Sequence, residues 1–258
     1  MQVMSESALE AMSEEGPSVA EFRATMPGDY GRLYSPEETA EHAAIVQRRK
    51  LEPAHVELWR PLPGGGAVLC IVADDHPGFL STVSAVLYLH ELDVVTAQIY
   101  CRKHPDGVAE AVDFFWVRPN ALGASRRIEL EEVASVKRVL GELVVRQACP
   151  DPIVARRQGP AEPDAVPLAR VFFETQPLRA GNYVLAVEAV DFPGLLLAVA
   201  RALHRENLDI LASDIRTEGT RVNDRFTVAD TMGEPLTPRR LAAIRGAIVA
   251  ALRAGMGS

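Results

Sequence analysis

The chain has 258 residues, 48% of them hydrophobic and 24% charged. These are the proportions of a soluble globular protein with a packed core, far from the low-hydrophobicity, high-charge regime of disorder. Thirty-five acidic against 27 basic residues give a net charge of −8; with the basic residues scattered along the chain, nucleic acid and anionic lipid are repelled, and no apolar run approaches the roughly 20 residues of a membrane span.

Residues 1–18 carry Glu6, Glu10, Glu14 and Glu15. They read as a disordered acidic tail, the opposite of a basic signal-peptide start, and a cytoplasmic product is expected. Residues 19–54 form an N-terminal helical extension. Within it, Ser35-Pro36-Glu37-Glu38 combines a capping-box Ser and Glu with a proline in the first turn and predicts a helix to about Lys50, with a short apolar face that packs as an accessory. His55-Val56-Glu57-Leu58-Trp59 follows as a strand. Gly64-Gly65-Gly66, with no Lys-Ser/Thr after it, is a flexible hairpin turn and not a P-loop.

From residue 68 the chain repeats itself. Val68-Leu69-Cys70-Ile71-Val72-Ala73-Asp74-Asp75-His76-Pro77-Gly78-Phe79-Leu80 returns as Val184-Leu185-Ala186-Val187-Glu188-Ala189-Val190-Asp191-Phe192-Pro193-Gly194-Leu195-Leu196, the signature of a duplicated unit. Leu92-Asp93-Val94 answers Leu208-Asp209-Ile210 in the same register, and Asp113-Phe114-Phe115-Trp116-Val117 answers Asp224-Arg225-Phe226-Thr227-Val228. In each copy a short apolar strand ends at Asp-x-Pro-Gly. The spacing then turns helical at Leu80, Val83 and Leu87, or Leu196, Val199 and Leu203. Two strands follow, Val95, Ala97, Ile99 and Cys101 alternating in the first copy and Val222, Asp224, Phe226 and Val228 in the second. The strands are joined near Pro105-Asp106-Gly107 and Glu218-Gly219-Thr220. A second helix is marked by Leu130, Val133, Val136 and Leu140, or Leu241, Ile244, Ile248 and Leu252.

The unit is therefore β, α, β, β, α, one strand short of a ferredoxin-like sheet. His55–Trp59 and Arg170-Val171-Phe172-Phe173-Glu174 supply the missing neighbour of the first strand by an antiparallel hairpin, which also removes an exposed edge. The expected fold class is α+β: two ferredoxin-like domains, antiparallel sheet with helices on one face, each with an added N-terminal hairpin strand. The first spans 55–148 and the second 169–258, and the Pro-rich stretch 149–168 is an extended linker.

A strand ending at Asp-x-Pro-Gly, a helix, then Leu-Asp-Val or Leu-Asp-Ile opening a second strand resembles an ACT domain, the amino-acid-sensing module of metabolic regulators. The chain is more specifically similar to the C-terminal regulatory region of the bacterial uridylyltransferase and uridylyl-removing enzymes of the PII nitrogen-signalling protein. Phe22-Arg23-Ala24-Thr25-Met26-Pro27-Gly28-Asp29-Tyr30 before Ser35-Pro36-Glu37-Glu38, Asp106-Gly107 before Asp113–Val117, and Arg170–Glu174 before the second copy carry that likeness. The paired aspartates after a Gly-Ser turn and the His-Asp cluster of that family's catalytic halves are not in this sequence, so a sensor without the enzyme is expected.

The resemblance implies a small amino acid, glutamine among the candidates, bound between paired ACT domains within the chain or across a homodimer, with a protein partner regulated in turn. The ligand-binding residues it implies are Asp75, His76, Gly78, Phe79 and Asp93, and in the second copy Asp191, Phe192, Gly194, Leu195 and Asp209. Proline in the first helical turn and glycine without a side chain leave backbone N–H groups open to a carboxylate. Asp93 and Asp209 stand where the family commonly has Asn. A carboxylate there accepts from an ammonium and not from a carbonyl. Two plainer readings stand beside these: Asp75 and Asp191 cap their helices, and Asp93 and Asp209 open a strand at a turn. Cys101 and His104 lack the second pair of ligands of a zinc site. Cys70, Cys101 and Cys149 read as reduced thiols, and no catalytic residue, metal or cofactor is expected.

Overall fold

The computed structural model describes residues 18–27, 30–103, 107–120, 126–147, 169–174 and 181–256. The acidic tail up to residue 17, the linker 149–168, Cys149, His104 and the Pro105-Asp106 turn lie outside the described residues. Three helices open the described chain: α1 (Val19–Thr25), α2 (Tyr30–Leu33) and α3 (Pro36–Arg49). The capping box at α3 forms as expected, with Ser35 Oγ accepting from Glu38 N and the Glu38 carboxylate accepting from Ser35 N.

The first copy runs β1 (Ala54–Pro61), β2 (Ala67–Asp74), α4 (Phe79–Leu89), β3 (Leu92–Lys103), β4 (Ala109–Pro119) and α5 (Leu130–Arg146). The second runs β5 (Arg170–Phe173), β6 (Asn182–Val190), α6 (Leu195–Arg205), β7 (Leu208–Glu218), β8 (Arg221–Asp230) and α7 (Pro238–Met256). All eight strands form one antiparallel sheet in the order β1-β2-β4-β3-β7-β8-β6-β5. The expected α+β class is observed, and both added hairpin strands are present, β1 on β2 and β5 on β6.

Two expectations of spacing are corrected. A bulge between Val94 and Thr96, matched by one between Ile210 and Ala212, takes Val95 out of the alternation. An extra residue at a bulge is left unpaired and re-aims the strand. Leu130 is 71% exposed; it is the first residue of α5 and has no preceding turn packed behind it.

The copies join where β3 pairs with β7 from Thr96↔Arg216 to Tyr100↔Ala212. Gln98 faces Asp214, its own repeat equivalent at the spacing that relates Leu92 to Leu208. The seam is therefore isologous, a two-fold dimer interface built inside one chain. Helices α4 to α7 cover one face of the sheet, over a core that runs through both copies and includes Leu69, Ile71, Phe115, Leu185, Val187 and Phe226. Among the described residues the opposite face is covered only in the first copy. There Phe22, Tyr30, Ile45 and Val46 of α1–α3 pack on Val68, Cys70, Val72 and Phe114. The accessory helix is thus part of a second core, locked by Arg49 to Glu110 at 2.9 Å and Arg102 Nε to Glu110 at 2.6 Å, all largely buried.

Candidate functional site

The loops after β2 and β6 are superimposable in their bonding. Asp75 N donates to Ala109 O and Asp191 N to Thr220 O, both at 2.9 Å, and Phe79 N or Leu195 N closes the turn onto His76 O or Phe192 O. Gly78 and Gly194 are the N-caps of α4 and α6, at φ +86° and +87°, with no side-chain cap. Pro77 and Pro193 therefore precede the helices instead of entering their first turns. The capping reading of Asp75 and Asp191 is also set aside, because the left-handed glycines occupy the cap positions.

Each loop faces the strand-opening aspartate of the other copy. Asp75, His76, Gly78 and Phe79 share one cleft with Asp209, and Asp191, Phe192, Gly194 and Leu195 share a second with Asp93. All ten residues singled out from the repeat thus gather in two clefts, one on each side of the seam. Asp93 and Asp209 also stand second in β3 and β7, so strand opening and cleft lining describe the same residues.

The glycines do not leave open space for a ligand. A Cβ at Gly78 would lie 2.7 Å from the His204 imidazole, and one at Gly194 would lie 3.0 Å from the Tyr88 ring. Tyr88 and His204 are repeat equivalents, so each copy's helix closes over the other copy's loop. Each cavity holds about 20 Å³, room for one water. The first opens into a groove of about 820 Å³ that shares His76, Gly78, Ser81 and His204 with it.

The clefts are acidic. Burial pushes the carboxyls of Asp75, Asp191 and Asp209 above the usual range. Asp209 adds repulsion at Asp75, and Asp93 does so at Asp191. The Cys101 thiol donates to Asp75, and burial together with that carboxyl pushes the thiol up to about 12. Beside the second cleft Arg118 Nη2 lies 2.7 Å from Asp93 Oδ2 and 3.2 Å from Asp191 Oδ2, bridging the two copies. Burial is the largest effect and works against the Arg118 charge, but the Asp93 and Asp191 carboxylates together outweigh it and raise its pKa.

Two residues at the floor of these clefts escaped the motif reading. Asp113 lines the first and Asp224 the second, and both are 0% exposed on the helix-covered side of the sheet. Each accepts one backbone N–H at 3.2 Å, Asp113 from Tyr100 and Asp224 from Arg216, while its Oδ2 has no partner. Burial drives both carboxyls well above the usual range. The signal was in the repeat: the same acid at the same place on two otherwise apolar strand faces. Among the described residues no three His, Cys, Asp or Glu side chains are placed to hold a metal ion, and no helix is long and apolar enough to cross a membrane.

No protein-family model matches the chain. Curated relatives are bifunctional uridylyltransferase/uridylyl-removing enzymes. That of Rhodospirillum rubrum is 32% identical over 192 residues, 70% of this chain and 19% of the enzyme. That of Rhodopseudomonas palustris is 31% identical over 193 residues, 72% and 20%. The Caulobacter vibrioides enzyme is 27% identical over 251 residues, 96% of this chain and 26% of its own length. The chain thus spans about a fifth to a quarter of the curated relatives it matches, and the resemblance expected from its motifs is borne out. A crystal structure of an unknown protein from Galdieria sulphuraria covers 71% of this chain and 89% of its own, at 15% identity and a TM-score of 0.23, too low to bear on the fold.

Proposed function

We propose that the chain is a non-catalytic regulatory protein of amino-acid or nitrogen metabolism. In this reading its two ACT domains, 55–148 and 169–258, bind a small amino acid, glutamine among the candidates, at their shared seam. The observation that supports it is the convergence of both Asp-x-Pro-Gly loops on the opposite copy's strand-opening aspartate. The likeness to one part of the uridylyltransferase/uridylyl-removing enzymes supports the regulatory setting. The cavities, at about 20 Å³ each, are too small for a whole amino acid. Binding therefore requires α4 and α6 to part, and the ligand shifts a closed-to-open equilibrium by its differential affinity for the two arrangements. That shift, in a cytoplasmic monomer or homodimer, is what a protein partner would sense. Isothermal titration of the purified chain against the twenty common amino acids tests the reading. Saturable binding by at least one supports it, and binding by none ends it.

The filled space beside Gly78 and Gly194 favours a second reading, in which the paired sheets serve only for oligomerisation or docking onto an enzyme. That reading expects self-association or partner capture to be indifferent to every amino acid. It also expects the association to be lost when charge is placed on the edge strands β1 or β5, measured by sedimentation velocity.

A further inference from the structure

The two clefts descend from one repeat and carry the same three carboxyls: Asp75, Asp113 and Asp209 in the first, Asp191, Asp224 and Asp93 in the second. They differ in what neutralises them. Arg118 stands opposite Asp93 in the β3–β4 register, and its guanidinium reaches both Asp93 and Asp191. The residue opposite Asp209 in the β7–β8 register is Ala229. Among the described residues no arginine or lysine lines either cleft; Arg118 reaches Asp93 and Asp191 from beside the second, whereas the basic side chains facing the carboxyls of the first are His76 and His204. At its floor Asp113, 0% exposed, points an oxygen with no partner.

The chain thus holds, on the aspartates of its second cleft, a worked example of the cation that those of its first cleft lack. A cavity of about 20 Å³ has room for a primary ammonium, which is about the size of one water, and Asp75, Asp113 and Asp209 among its lining residues are acceptors for it. An α-ammonium fits poorly, because its own carboxylate would follow it into the acidic pocket. The end of an unbranched chain carries no such burden.

Resting on the reading that an amino acid binds at the seam, we propose that the first cleft alone takes ligand. In this site the side-chain ammonium of a basic amino acid of the lysine or ornithine type bridges Asp75 and Asp209 as Arg118 bridges Asp191 and Asp93. Burial raises all three carboxyls, with Asp209 adding repulsion at Asp75 and Asp75 at Asp113, and an entering cation relieves that cost.

The test is isothermal titration of the full chain with lysine, ornithine, Nε-acetyllysine and glutamine. Lysine or ornithine should bind at one site, and the uncharged pair should bind weaker by about tenfold or more, the scale of losing one desolvated charge partner. Ala229→Arg, which supplies the missing guanidinium, should abolish that binding. Arg118→Ala, which removes the guanidinium from Asp93 and Asp191, should add a second site. If Ala229→Arg does not fold by circular dichroism, the isostere Asp209→Asn serves in its place and should weaken lysine binding by about tenfold. Tight glutamine binding unaffected by Ala229→Arg and Asp209→Asn would overturn the cation inference while leaving the amino-acid sensor intact. Failure of all twenty common amino acids, on both the wild type and Arg118→Ala, would overturn both.

Discussion

The closure of each loop by the other copy's helix gives the sharpest stability prediction. In Gly78→Ala, the backbone at φ +86° places an L-residue in the left-handed region, at about 1–2 kcal/mol. The new Cβ falls 2.7 Å from the Cε1 and Nδ1 atoms of His204. Moving that ring adds about 1–3 kcal/mol, the usual cost of overpacking. The sum, about 2–5 kcal/mol, is a shift in melting temperature on the order of 10 °C for a chain of this size. His204→Ala removes the obstacle and leaves only the backbone part. Urea denaturation of the wild type, both single variants and the double variant should therefore give a coupling energy of about 1–3 kcal/mol. The matching cycle of Gly194→Ala with Tyr88→Ala should show a smaller coupling, because its contact is 3.0 Å. If Gly78→Ala costs the same with and without His204, the imidazole is not packed on the glycine. The seam is then not closed in the way described.

The other predictions concern buried charge. Glu110→Ala leaves Arg49 and Arg102 without their buried carboxylate and should cost about 3–5 kcal/mol; a loss below about 1 kcal/mol in urea would show that this cluster does not hold the N-terminal helices to the sheet. Asp113 and Asp224 have folded-state pKa values above the unfolded one, so the stability they contribute is full below about pH 4 and is lost as pH rises through the folded values. Asp113→Asn with Asp224→Asn keeps the amide-accepting Oδ1 atoms and should flatten the decline above pH 4, by up to about 1.4 kcal/mol per pH unit for each group; an unchanged slope from pH 4 to 8 would refute the assignment. His42, buried against Tyr30 and held by burial at a pKa of about 3, contributes stability that is intact above about pH 6.5 and erodes as pH falls towards 3. Its imidazole signals in a nuclear magnetic resonance titration should stay at the neutral position at pH 5.

The repeat carried most of the fold and the ten cleft residues, because duplicated spacing reports duplicated geometry whatever the tertiary detail. The hairpin strands β1 and β5 were legible from the need to satisfy a sheet edge. The β3–β7 seam was not, since Thr96, Gln98, Asp214 and Arg216 meet there and such residues look like a solvated edge in the sequence. The neighbour that fills the space beside Gly78 is hidden for the same reason: His204 lies 126 positions away in the sequence, and no local pattern announces its approach. Arg118 opposite Asp93 was hidden likewise, as cross-strand pairing depends on a register that the bulge after Val94 shifts.

The second core has a local explanation that the helical periodicity of α3 understated. In β4 the row away from α4 and α5 reads Glu110, Val112, Phe114, Trp116, whereas its counterpart in β8 reads Arg221, Asn223, Arg225, Thr227. In β2 the same outer row holds Cys70 and Val72, against Ala186 and Glu188 in β6. An apolar strand on both parities must be covered on both faces, whereas an alternating one solvates its outer face. Duplication alone would have left the copies interchangeable; divergence of these outer rows gave the first copy a lid of three helices and left Arg221, Asn223 and Arg225 of the second exposed. The clefts diverged in parallel, with Arg118 kept beside one pair of aspartates and Ala229 beside the other. On the proposed reading, a pseudo-symmetric seam whose two sites differ in charge would give one ligand site per chain, because the Arg118 guanidinium already occupies the acceptors of Asp93 and Asp191.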